Sequence, residues 1–530
     1  GNLKYRKRMN WIEYKKTNFK NNNIVADPDD EHKVTLKLKI FIQNSSLYRF
    51  ICATLESSTK LQKLREKLWD RSDALDRPLI TLLWLCKNRS KLNPWLDGIA
   101  LLGLSTSLSI LYMGSANVPM LLLLWLCQRS LMSVGGPWYG YGWEPQLAEL
   151  NFHALFLAPL FSLQQINLSS PVPSITIWAI RWYLFRIMMG AGLIKLRSND
   201  PKWFQTWSAM DYFYETQPVP NPFTKYFHFM PKWWHRFEVG CNHFVELIAP
   251  WLLLVPNVGG FGRMCGLCGG LIQISFQMLL ISSGNLSFLN WLTAVPALIC
   301  LDDAFLAKFF APFQKYSASL SAYLSMISGD TTTIANVVTT APTRKIINVL
   351  FGALIFRLSI PVVQNLLSKR QLMNASFDKL RLINTYGAFG VVSEEREELI
   401  ISSAENVNGP WKEYEFKVKV GDVYRRPRWI SPYHYRMDWQ MWIAACSGSI
   451  QRSPWIYNFL CKLLQRDEKV LGLLANDPWT GVESSNGDEY GHEQVQDAGA
   501  NEEKVDPKQT DYLPMHKTGQ PRYIRIDRYK

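Results

Sequence analysis

Apolar residues fall in long blocks between about Pro78 and Pro361, and both flanks of the chain are polar and charged. The blocks cover about 98–114, 117–133, 152–164, 174–195, 243–256, 264–283, 286–301 and 345–365. A helix needs about 20 residues to cross a bilayer, with a workable range of about 17–25. The blocks at 98–114, 117–133, 174–195, 264–283 and 345–365 meet that bound. Those at 152–164, 243–256 and 286–301 are shorter and read as re-entrant or buried segments. The pattern predicts about five to eight membrane helices. Gly262, Gly266 and Gly270 recur at four-residue spacing, which lets a neighbouring backbone approach one helix face, as packing without a hydrophobic drive requires.

The period changes after about Ser368. Lys379–Ile383, Glu397–Ser403 and Tyr414–Val420 alternate polar and apolar residues, the pattern of half-buried strands, with Gly387, Gly390, Asn408-Gly409-Pro410 and Gly421-Asp422 as turns. The expected fold class is an α-helical multipass membrane bundle followed by a β-rich soluble C-terminal domain. Its parts are a basic polar N-terminal segment (1–76, with a short helix over Thr59–Leu68), a multipass domain (77–367) with an interfacial loop at 197–242, and the β-rich domain (368–480), which ends in a helix over Trp455–Leu474. An acidic disordered insert (481–518) and a terminal strand (519–530) complete the chain.

Composition changes this picture little. The hydrophobic fraction of 48% and mean hydropathy of −0.08 resemble a soluble protein only because they average over unlike regions. The net charge of +14 would suggest nucleic acid in a soluble chain. Here Arg181, Arg186, Lys195, Arg197, Arg263, Arg344 and Lys345 flank apolar blocks, as membrane-edge anchors do, so no nucleic-acid partner is expected. Nine cysteines in 530 residues make no disulfide framework. The chain opens on Gly1 with no cleavable signal sequence, so the natural N-terminus is expected upstream.

Candidate chemistry concentrates in two places. Asp211 to Leu254 combines aromatic residues with proline at 218, 220 and 222, which predicts a rigid extended path at a membrane–water boundary. Glu144, Gln146, Glu149 and Glu246 lie in or beside apolar segments, where acids are costly unless paired. Arg181, Arg186 and Lys195 are the natural partners, and the set reads either as a reaction centre or as polar glue of a bundle. Cys265-Gly-Leu-Cys268 has dithiol spacing but lies inside the glycine-spaced apolar block, so it reads as structural. His235, Cys241 and His243 match no common zinc spacing, and neither metal nor cofactor is expected. The chain lacks the Gly-x-Ser-x-Gly elbow, His-Glu-x-x-His and the Walker loop, which disfavours a hydrolase, a zinc protease or a nucleotide-driven pump. Of the sequons at Asn44, Asn88, Asn167, Asn285 and Asn374, Asn374 is the glycosylation candidate, and its use would place the C-terminal domain in the lumen.

Several ordered blocks resemble the lipase maturation factor family. They are Tyr141-Gly-Trp-Glu-Pro-Gln-Leu-Ala-Glu149, Gly190 to Arg197, Asp211 to Pro222, Pro231 to Phe237, and Asn242 to Pro250. Ser283 to Thr293 with Asp302-Asp303 leans toward the lipase maturation factor 1 branch. Asn384 to Gly390, Trp411 to Lys417, Arg425-Arg-Pro427 and Asp438 to Trp442 continue the likeness, over about 78–480 and again from Pro521. The family's first membrane helix is not found near the N-terminus, and the family pattern is expected to continue beyond Lys530. The resemblance implies a multipass endoplasmic reticulum protein without turnover chemistry. Its clients would be secretory lipases of the lipoprotein lipase type, with other folding factors of that compartment as further partners. It would present Tyr214, Glu215, Thr216, Gln217, Pro218, Pro220, Asn221 and Pro222 to the client, together with Trp439 and Trp442, for which a core position is the competing reading. A second, more distant resemblance, around Leu193-Ile-Lys195-Leu, Trp203 and Met210, is to vitamin K-dependent γ-carboxylases. It would make Lys195 a base of a membrane enzyme, against a structural role in a salt bridge.

Overall fold

The computed structural model describes residues 14–15, 80–86, 92–164, 172–256, 258–316, 342–378, 380–422, 424–480 and 521–529. The helix expected over 59–68 and the acidic insert at 481–518 lie outside the described residues. The chain divides into two compact units: one takes its residues from 53–396 and 426–436, the other from 1–52, 397–425 and 437–530.

The first unit is helical. Its elements are α1 (Leu92–Met113), α2 (Val118–Val134), α3 (Trp143–Ala154), α4 (Ser174–Arg197), α5 (Pro201–Phe204), α6 (Ala209–Thr216), α7 (Thr224–His228), α8 (Lys232–His243), a π turn (Phe244–Ile248), α9 (Pro250–Leu253), α10 (Gly259–Ser283), α11 (Leu289–Ala297), α12 (Asp303–Phe310) and α13 (Pro342–Leu367). Among the described residues, four helices are long and apolar enough to cross a membrane: α1, α4, α10 and the Arg344–Leu367 stretch of α13. The apolar helix α2 is shorter. Helix α4 is central, with Tyr183, Leu184, Ile187 and Met188 in a core shared with Val245, Leu253, Phe276, Ala297 and Tyr386.

Two helical expectations are corrected. The block at 152–164 does not form its own element: the helix starts at Trp143, ends at Ala154 and carries the polar residues upstream. The loop expected at 197–242 is mostly four short helices, α5 to α8. Proline is unwelcome inside a helix but suits its start, where the missing N–H has no partner to lose. Pro201 opens α5 behind the Asp200 cap, and Pro231 immediately precedes α8. The stretch just after α6, from Gln217 to Asn221, keeps the expected non-helical path.

The second unit contains a four-stranded sheet, ordered β1 (Tyr14–Lys15), β6 (Tyr523–Tyr529), β2 (Glu398–Ala404), β3 (Lys412–Glu413). A second pair joins β4 (Glu415–Phe416) and β5 (Leu474–Asn476). Strands β2 and β6 run antiparallel from Glu398↔Tyr529 to Ala404↔Tyr523, so the terminal strand does rejoin the sheet. Helices α14 (Arg436–Cys446), α15 (Trp455–Leu464) and α16 (Glu468–Leu471) complete the order. The helix expected over Trp455–Leu474 therefore breaks, at Arg466, whose φ of 57° is incompatible with a right-handed helix. No strand forms over residues 380–383, and only Glu415–Phe416 of the Tyr414–Val420 stretch is strand. Residues 368–396, expected in the soluble domain, belong to the helical unit.

Candidate functional site

Three clusters of buried charged residues stand out among the described residues of the helical unit. In the first, Gln146, Glu149 and His153 share one face of α3, because i, i+3 and i+7 stack along a helix. Tyr183 and Arg186 present the same relation on α4. The Glu149 carboxylate pairs with Arg186 through one oxygen. Its other oxygen accepts from the Asn384 backbone N–H (2.9 Å), the Asn384 amide (2.9 Å) and the Tyr386 hydroxyl (2.6 Å). Arg186 also donates to the Asn384 carbonyl at 2.7 Å. Tyr183 donates to the Gln146 carbonyl at 2.9 Å, and the Gln146 amide reaches Thr293 on α11 at 2.8 Å. Both Glu149 and Arg186 have fully enclosed side chains. A buried ion pair offsets its desolvation only when extra hydrogen bonds engage the remaining lone pairs, and these bonds supply that. A Cβ on Gly190 would lie 2.3 Å from the Tyr386 carbonyl oxygen, so the absence of a side chain on α4 is what admits this segment.

The second cluster sits at the C-terminal end of α4. Lys195 donates to Asn242 (2.8 Å) and to Glu246 (2.6 Å), with its ammonium 4.7 Å from the centre of the Trp203 ring. Glu246 lies in the π turn, immediately before Pro250. Proline has no N–H and clashes with the carbonyl four residues back, so a helix approaching it must loosen. Gln273 of α10 donates to the Val245 carbonyl at 3.0 Å within this loosened turn.

In the third, Glu144 accepts from Gln128 (2.9 Å) and Arg436 (2.6 Å), and the Arg436 guanidinium stacks 4.0 Å from the centre of the Tyr139 ring. His434 stands edge-on to Tyr141 and Trp143, with ring centres 4.8 and 5.2 Å away. Burial, reinforced by neighbouring Arg436, pulls the His434 imidazole down to about 3. Arg181 lies over the Trp178 ring and bonds the Cys300 side chain.

The run expected to face a client is largely enclosed. Tyr214, Thr216, Gln217, Pro218 and Asn221 are buried, Pro220 is half-buried, and Glu215 and Pro222 are exposed. The enclosure has a polar cause. Asn221 donates to the Ile281 and Ser282 carbonyls, Gln217 donates to Thr224 and Ser283, and Asn285 donates to the Pro220 carbonyl. Trp439 is buried in α14 of the other unit and Trp442 is half-buried, so the core reading holds for Trp439. Asn374 is exposed, with φ at 50° and its amide donating to the Gly387 carbonyl at 3.2 Å.

Sequence reasoning missed Asn242, Asn285, Asn384 and Tyr386. Asn384 and Tyr386 stand in the Asn384–Gly390 block, where only Gly387 and Gly390 carry a local signal, that of turns. Asn242 lies four residues before Glu246, a helical spacing that could have flagged it. Among the described residues, no group of three or more His, Cys, Asp or Glu side chains could hold a metal ion.

Long apolar helices joined by internally paired charges, followed by a unit with its own sheet, define a multipass membrane protein with an appended folded domain. Residues 39–308 match the lipase maturation factor transmembrane domain, and residues 382–489 match the lipase maturation factor C-terminal domain. The chain belongs to the lipase maturation factor family. It is 45% identical over 412 residues to lipase maturation factor 1 of Mus musculus, covering 76% of this chain and 69% of that protein. The Bos taurus lipase maturation factor 1 is also 45% identical, over 76% of this chain and 70% of its own length. Lipase maturation factor 2 of Xenopus laevis is more distant, 28% identical over 72% of this chain and 65% of that protein. No solved structure matches the chain.

Proposed function

We propose that this protein is an endoplasmic reticulum membrane factor that assists secretory lipases of the lipoprotein lipase type to fold, dimerise and leave for export, without catalysing a reaction itself. The observation that carries this reading is the 45% identity to lipase maturation factor 1 proteins, running through both the membrane and the C-terminal domain. The site geometry agrees with a scaffold. Glu149, Arg186, Lys195, Glu144 and Glu246 all have hydrogen-bonding partners inside the unit, the arrangement expected of groups that hold helices together. A client with an unburied dimer surface would be held on exposed parts of the protein until it buries that surface against its own partner. Glu215 and Pro222 are the parts of the aromatic–proline run open to such contact. Asn374 is the residue proposed to carry a glycan, and the C-terminal domain is proposed to face the lumen. The test is expression in cells that lack their own factor, followed by assay of secreted lipase activity. Restored activity is expected, and unchanged activity overturns the reading.

The enzyme alternative would use Lys195 as a base. With Asn242 and Glu246 both accepting from its ammonium, Lys195 is better placed as a structural cation. Lys195→Arg keeps the charge but removes a usable base. Lipase rescue by that variant is expected to persist, and its loss in a protein that still folds would support the enzyme.

A further inference from the structure

Helix α8, the π turn and α9 follow one another without a break from Lys232 to Leu253, every junction residue keeping right-handed helical dihedrals. This stretch fails any test based on average hydropathy, because it holds Lys232, His235, Arg236, Glu238, Asn242, His243 and Glu246. Its two faces are nevertheless sharply different. His235, Val239, Asn242, Glu246 and Leu253 are buried, at helical spacing on one side. Trp233, Phe237, Phe244, Ile248 and Trp251 recur on the opposite side, and all are exposed; Phe237, Ile248 and Trp251 reach 55%, 61% and 58%. Asn242 and Glu246 turn inward to Lys195, and His243 to the Trp203 carbonyl, while the large apolar groups point outward.

We infer that Lys232–Leu253 is an inside-out membrane helix whose Trp233–Trp251 stripe lies against lipid acyl chains. Three observations select lipid over another occupant. The stretch packs directly on α4 and α10, two helices long and apolar enough to span, so its outer stripe continues the surface they present. Its length is about 33 Å at about 1.5 Å per residue, which matches a hydrocarbon core of about 30 Å. At the loosened turn ahead of Pro250, the Val245 carbonyl accepts from Gln273, the kind of internal partner that a backbone group in lipid requires. Lys232 and Arg236 sit with Trp233 in the first two turns, where basic and aromatic side chains anchor at headgroup depth while their stems lie along apolar surface. Two of the polar residues that hide this helix from a hydropathy scan, Asn242 and Glu246, fasten it to Lys195 of α4.

The test uses the full-length protein in lipid nanodiscs. A nitroxide on Ile248→Cys, with the other cysteines replaced, is measured by power-saturation paramagnetic resonance, with Glu215→Cys as the water-facing control. Accessibility to oxygen severalfold above that to a water-soluble nickel complex is expected at Ile248, and the reverse at Glu215. Greater access to nickel at Ile248 would overturn the assignment. Low access to both reagents would also overturn it, by showing that protein covers the stripe. Should the cysteine-replaced chain fail to fold, the unaltered protein is labelled in vesicles with a lipid-soluble diazirine. Carbene adducts on the Phe244–Trp251 peptide are expected, and their absence while α10 is labelled would refute the assignment.

Discussion

Removing the Arg186 guanidinium should expose how much the first buried cluster holds the helical unit together. Arg186→Met keeps an unbranched apolar side chain in the space but leaves the Glu149 carboxylate without its cation in a fully enclosed site. Breaking a buried pair from one side costs about 3–5 kcal/mol, because the surviving charge is uncompensated. The Asn384 carbonyl also loses the donor it has at 2.7 Å, which keeps the expectation toward the upper part of that range. At about 2 °C per kcal/mol for a unit of this size, the thermal midpoint in detergent or nanodiscs should fall by roughly 6–10 °C. Adding Glu149→Leu removes the stranded charge, so the double variant should recover part of the loss. Recovery should stay incomplete, because the Asn384 N–H, the Asn384 amide and the Tyr386 hydroxyl then lack their acceptor. A midpoint within about 1 °C of the parent for Arg186→Met, or a double variant no more stable than the single, would refute the view that the pair is held at high electrostatic cost.

Three further outcomes are expected. Gly190→Ala should destabilise the helical unit by several kcal/mol, since its Cβ meets a backbone oxygen at 2.3 Å and no flexible side chain can yield; a circular-dichroism melt like the parent's would contradict this. Stability of the helical unit should fall on acidification, because the native His434 ring stays neutral down to about 3 while the unfolded ring takes a proton below its ordinary 6.5. The loss accrues over that window at about 1.4 kcal/mol per pH unit, so about 2 kcal/mol is gone at pH 5, and His434→Phe should flatten the dependence in denaturant titrations at several pH values. Trp439→Ala should cost the sheet-bearing unit about 3–5 kcal/mol through its cavity; an unchanged unfolding transition would argue that Trp439 is not core.

The membrane character was legible because burial in lipid demands long apolar runs, and α1, α2, α4, α10 and α13 follow the blocks read from the chain within a few residues at most ends. The acids and bases of the polar network were legible for a related reason: a charge in such a run must find a partner. Which partner it finds depends on where distant segments cross. Arg181 turned to Cys300 and Trp178, and Glu149 drew in Asn384 and Tyr386 from beyond the last long helix. The same dependence hid residues 217–221, whose prolines marked a special backbone but not the Ser283 carbonyl and Asn285 side chain that enclose it.

Sequence by itself thus determined the class of solvent each segment meets, since hydropathy and period are local properties of the chain. Tertiary structure alone decided which face of a mixed helix such as Lys232–Leu253 points inward. That choice rests on Lys195 and Gln273, residues that come close to it only once the chain has folded.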